Sequence, residues 1–172
     1  MNSPRRIYLV FLMLVVVWCS CILAAPLLQN FSGPAKPLAS ILYRFFARIC
    51  HQLDERSFHL NGEKWVVCIR CSAIYFSFLA GLGGYPLLRG LGSRTTPSLL
   101  WLVAASLPMA VDVGLSVAGI HASTSATRLL TGTLLGIVLP FYILPPLVDA
   151  ITKLSHSSST TKGELLYARK TK

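Results

Sequence analysis

Acidic side chains are scarce in this chain. Six Asp and Glu stand among 172 residues, and charged residues of both signs make up 13%. A soluble domain carries about 25% charged residues, so an ordinary water-facing surface is excluded. Disorder is excluded as well, because 53% of the residues are hydrophobic and disordered chains are poor in such residues. No HExxH, GxSxG or CxxCH motif is present, which removes the common signatures of metalloproteases, serine hydrolases and c-type haem attachment. Gly81, Gly83 and Gly84 are not followed by Gly-Lys-Ser/Thr, so they form no phosphate loop. There is no internal repeat and no basic stripe. The net charge of +10 comes from sixteen Lys and Arg placed around apolar runs. That pattern reads as flanking charge attracted to anionic lipid, without a nucleic-acid partner.

The chain contains long apolar runs. Mean hydropathy is +0.61. Residues 7–28 are almost continuously apolar, and as a helix they would reach roughly 33 Å, enough to cross a bilayer. Arg5 and Arg6 before the run and Ala24-Ala25-Pro26 near its end also resemble a signal peptide. The run exceeds the usual apolar core of a signal, about 7–15 residues, so an uncleaved span is expected. Further spans are expected at 65–88, 98–118 and 129–148, the last kinked or ended by Pro140, Pro145 and Pro146. Between the first two, Leu38, Ile41, Leu42, Phe45, Phe46 and Ile49 recur at helical spacing, predicting an amphipathic helix at the membrane interface. Residues 50–64 read as a polar loop with a turn at Asn61-Gly62. The expected fold class is all-α: one helical membrane domain over 1–154 with four spans, then a disordered polar tail over 155–172. The basic flanks at Arg5, Arg6, Arg89 and Arg94 and in the tail favour N-in, C-in in a bacterial cytoplasmic membrane.

In this arrangement the polar residues converge on the outer end. Cys50, His51, Cys68, Arg70, Cys71, Asp112, His121 and Arg128 all fall there. An unpaired aspartate within a span costs roughly 2.5–3.5 kcal/mol on insertion scales, so Asp112 needs a partner. Arg70 and Arg128 are the candidates, and a purely structural pair is as reasonable as a functional one. Cys68-Ile69-Arg70-Cys71 is a CxxC. On a helix its sulfurs share one face, continued by Ser72 and Tyr75. A helix N-terminus and Arg70 would both favour thiolate. With Cys50 and either His51 or His59 the set becomes Cys₃His, an accepted zinc complement. A disulfide and unreactive buried thiols remain open. Cys19 and Cys21 point to different sides of a helix and read as small apolar residues. Gly132 and Gly136 form a GxxxG suited to close helix packing.

Cys50-His51-Gln52, Arg56-Ser57-Phe58, Gly62, Cys68-Ile69-Arg70-Cys71 and Ile74-Tyr75 resemble the signature of bacterial membrane proteins grouped as domain of unknown function 2085. Pro108, Asp112, Gly119, Ser123, Arg128, Gly132 and Gly136 continue the resemblance. It implies a small multi-pass membrane protein with no assigned activity, and it supplies no catalytic residues.

The leading expectation is a Cys/His metal site holding zinc or another thiophilic ion through Cys50, His51, Cys68 and Cys71. His59, Arg70, Tyr75, Asp112 and Arg128 make up the surrounding polar site. The alternatives are a membrane thiol–disulfide oxidoreductase, an ion-pathway component using Asp112 and Arg128, and an assembly protein without chemistry. The expected partners are the lipid bilayer and either a second copy or another membrane protein.

Overall fold

The computed structural model describes residues 3–30, 35–93 and 95–154. The expected tail at 155–172 lies outside them. Helix α1 (Pro4–Gln29) is followed by α2 (Ala35–Phe46), a short 3-10 turn (Asp54–Arg56), a hairpin of β1 (Ser57–Leu60) and β2 (Glu63–Cys68), then α3 (Ile69–Leu88), α4 (Leu99–Val117) and α5 (Ser125–Val138). Helical structure continues past α5 to Leu154, so four helices are long and apolar enough to cross a membrane.

Helix α3 is central, packing on both α1 and α5, while α4 packs on α5. Two small cores lie at opposite ends of the bundle. At one end Ile7 and Tyr8 of α1 meet Leu82, Tyr85, Leu144 and Val148, and the Tyr8 hydroxyl donates to the Leu82 carbonyl at 3.0 Å. At the other, Ile22 and Ala25 of α1 meet Phe46, Cys50, Val66 and Val67. Most remaining apolar side chains face outward. On α4 these include Leu99, Leu100, Trp101, Leu107 and Val111, an apolar exterior that a bilayer would solvate.

The α3–α5 contact depends on three glycines, Gly81, which abuts the Ile137 carbonyl, and Gly132 and Gly136. A Cβ on Gly136 would collide with the Ser77 hydroxyl and the Ile74 carbonyl. One on Gly132 would lie 2.8 Å from both the Ala73 Cβ and the Arg70 carbonyl. Close backbone approach is the usual basis of helix association in lipid, where no hydrophobic drive operates between helices.

Helix α2 is amphipathic in an unusual way. Ala39 and Phe46 are buried, whereas Leu38, Ile41 and Phe45 form an exposed apolar stripe, extended by Ile49 in the turn that follows. One face therefore docks on the bundle, and the other suits the membrane interface.

Three expectations need correction. The segment read as a polar loop contains a β-hairpin. Asn61 (φ 53°) and Gly62 (φ 85°) occupy the left-handed region and close a two-residue turn of the kind that hairpins favour. The second span starts at Ile69, because Trp65, Val66 and Val67 belong to β2; aromatic and β-branched residues suit a strand, and both valines are fully buried. The fourth span starts at Ser125, earlier than 129, and its helix runs beyond Val148 to Leu154. Pro140 interrupts it only locally: Tyr142 and Ile143 N–H groups return to the Leu139 carbonyl, both at 3.0 Å.

A candidate cysteine and arginine site at the hairpin end

Cysteine 50 reaches the site through the chain that leaves α2. Its N–H donates to the Phe46 carbonyl at 2.9 Å, and its side chain is buried. Gln52 then clamps this segment to β2. The Gln52 backbone sits at φ 49°, and its amide donates to the Tyr43 carbonyl at 2.9 Å and to the Val66 carbonyl at 2.7 Å. Lys64 Nζ donates to the Gln52 carbonyl at 3.2 Å. The Tyr43 hydroxyl donates to the Lys64 carbonyl. Burial, with Glu63 as a lesser cause, pushes the Tyr43 phenol up to about 12, so it stays a donor at neutral pH.

Cys68 closes β2 and is the N-cap of α3, with extended backbone. Cys71 lies in the first turn. The pair is therefore not two positions on one helix face, as the spacing suggested. The strand-to-helix turn brings the sulfurs together instead. The thiols of Cys50, Cys68 and Cys71 all lie within 4.8 Å of one another, and all are free. The Cys68 N–H donates to Cys50 Sγ at 3.1 Å. Hydrogen bonds from the Cys68 and Cys71 side chains, and then from backbone N–H groups of Gln52 and Cys68, hold the Cys50 thiol far below its usual range.

His51 is exposed and stands on the wall of a cavity that the three cysteines also line, outside the three-sulfur group. His59 is also exposed; its Nε2 lies 3.2 Å from Asp54 Oδ1. His121 is exposed in the loop before α5. Tyr75 joins an aromatic cluster with Trp18, the ring centroids 5.6 Å apart. Its carbonyl accepts from the Cys19 thiol at 3.6 Å.

The intramembrane aspartate does have a partner, and it is Arg70. Asp112 on α4 accepts from Arg70 Nη2 and from the Ser123 hydroxyl at 2.7 Å. Arg128 reaches the aspartate indirectly: its Nε donates to Ser123 Oγ at 3.1 Å. Arg70 Nη2 also donates to Ser123 Oγ, at 3.2 Å. Ser123 is thus the node joining α3, α4 and α5. A capping box fixes this loop, with Thr124 Oγ1 accepting from the Thr127 N–H at 3.2 Å and Thr127 Oγ1 accepting from the Thr124 N–H at 3.0 Å.

Two functions were not assigned from the sequence, the Gln52 clamp and the Ser123 node. Gln52 follows Cys50-His51 directly, and Ser123 lies in an Ala/Ser/Thr-rich stretch before Arg128. Neither residue type points to a role until its partners from distant segments are known.

A cavity of about 290 Å³ joins the two constellations. Its walls include Cys50, Cys68 and Cys71 together with Arg56, Arg70 and Arg128.

Residues 50–142, which include the whole site, match the family described as predicted membrane protein (DUF2085). The uncharacterized protein MJ1492 of Methanocaldococcus jannaschii is 34% identical over 152 residues, covering 87% of this chain and 97% of that protein. No solved structure matches the chain. The chain belongs to the DUF2085 family of membrane proteins.

Proposed function

We propose that this membrane protein holds a thiophilic metal ion, zinc or a similar one, through Cys50, Cys68 and Cys71, and that the ion clasps the hairpin onto the helix bundle. The observation behind this reading is the grouping of three free thiols within 4.8 Å of one another. Zinc–sulfur bonds of about 2.3 Å in a tetrahedron place sulfurs about 3.8 Å apart, so binding needs only a small contraction. The ligands come from three places: the end of the α2 segment, the end of β2 and the first turn of α3. One ion would therefore lock three elements. A backbone N–H on Cys50 Sγ is the kind of second interaction that orients a thiolate ligand. The fourth position faces the cavity, where His51 or an external ligand completes the set. The role is structural or sensing, in a bacterial cytoplasmic membrane with both termini inside.

The test is elemental analysis of the detergent-solubilised protein, prepared without chelator. About one ion per chain is expected, lost in Cys68→Ser and in Cys71→Ser but retained in Cys21→Ser, which changes a thiol outside the cluster. Metal-free wild-type protein overturns the reading. The same sulfur proximity supports a second reading, thiol–disulfide exchange with Cys50 as the third thiol. That reading expects the number of free thiols to change reversibly under oxidant and reductant.

A further inference from the structure

We infer that the cavity beside the cysteines binds an oxyanion of the phosphate class. Three guanidinium groups, those of Arg56, Arg70 and Arg128, line it, and one carboxylate, Asp112, stands against them. Asp112 is already occupied by Arg70 and Ser123. Positive charge is therefore in excess at the cavity wall.

Arg128 carries the argument furthest. It is 9% exposed, and its Nε donates to Ser123. Its terminal nitrogens have no hydrogen-bond partner among the described residues, and they belong to a side chain that lines the cavity. On the same wall Arg70 Nε is buried without a partner, and an idle buried guanidinium donor is costly. A tetrahedral oxyanion matches the planar guanidinium fork.

The start of α3 is a second, independent feature. Cys68, its N-cap, lines the cavity and makes no side-chain cap hydrogen bond. The first N–H groups of a helix lack intrahelical partners and carry partial positive charge, which suits an anion.

The sign of the cavity does not depend on the metal. The three arginines outweigh Asp112 by two charges. The Cys50 thiolate of the metal-free site, or three thiolates around a divalent ion, takes back one of these. The remaining ionisable groups nearby are His51 on the wall, which adds positive charge when protonated, and Glu55, which is exposed and borders the adjoining groove with Arg56 and Arg128. The volume of about 290 Å³ lies just below the usual range for small-molecule sites, roughly 300–1,000 Å³. That suits a phosphate or a headgroup. The cavity is at the hairpin end of the bundle, where the spans end, so the oxyanion has two sources: free in solution, or the phosphate of an anionic lipid.

The experiment uses the full chain in uncharged detergent, with and without chelator. The thermal midpoint is followed against inorganic phosphate at constant ionic strength, and separately against phosphatidylglycerol added to the micelles. A saturable rise is expected in one arm, with the half-point about tenfold higher in Arg56→Gln, because one charge-assisted hydrogen bond is lost. Arg56 is exposed, so this variant keeps the fold even if Arg128→Gln does not. Saturation by inorganic phosphate identifies a free oxyanion, and saturation by the lipid alone identifies a headgroup; each supports the inference. It is overturned by the lack of a saturable rise in both arms, or by a rise that Arg56→Gln leaves unchanged. Metal content is read separately, so either proposal can fail while the other stands.

Discussion

Asp112 shows what one residue does here. It lies on α4, 8% exposed, and compensates cationic side chains on α3 and α5. Removing one partner of a buried pair leaves an uncompensated charge, at a cost of about 3–5 kcal/mol. Asp112→Ala should lose stability of that order, leaving Arg70 without its counter-charge and Ser123 without its acceptor. Asp112→Asn keeps an acceptor and should lose less. Denaturant unfolding in detergent, with both variants beside wild type, measures this. Position 112 was legible as a residue in need of a counter-charge, because carboxylates are so costly within spans. Which arginine supplied it was not legible, because Arg70 and Arg128 are both close enough in any four-span arrangement. The structure decided the matter: Arg70 Nη2 reaches Asp112 directly, and Arg128 reaches it only through Ser123.

At the scale of elements, the α3–α5 seam and the hairpin matter most. Gly136→Ala would push a methyl into the Ser77 hydroxyl and the Ile74 carbonyl, and backbone cannot move aside cheaply. A loss of about 1–3 kcal/mol is expected. Gly83→Ala, on α3, meets nothing within 4 Å and should be neutral or slightly stabilising, since alanine is the better helix former. Thermal melts of the two variants separate packing from propensity. The GxxxG pattern was readable because its physical meaning in lipid is narrow. The hairpin was not readable as such. Its Asn61-Gly62 turn was visible, but Trp65, Val66 and Val67 run straight into the apolar α3, and hydropathy alone cannot separate a buried strand from the start of a span.

For the whole molecule, the two cores and the polar site define opposite ends. Ile7 and Tyr8 lie at one end. The hairpin, Ser123 and the cysteines lie at the other. If both termini are inside, as proposed, a reporter fused before Ser3 or after Leu154 should report the cytoplasm, and one inserted at Asn61 should report the exterior. The reverse pattern would overturn the proposed orientation, and with it the exposure of the cavity to the outer face.

The sequence by itself determined that this is a helical membrane protein with four spans, and that Cys50, Cys68, Cys71, Asp112, Arg70 and Arg128 gather at one end. Apolar run length and the cost of buried charge suffice for both. Only the tertiary structure decided how they meet. Cys68 is a strand end and N-cap, and Gln52 holds Cys50 against it. His51 and His59 lie outside the sulfur group, although their spacing had made them natural ligands. The reason is that sequence separation constrains side chains only within one regular element. This site is assembled across α2, the hairpin, α3 and the α4–α5 loop, by hydrogen bonds between residues far apart in the chain.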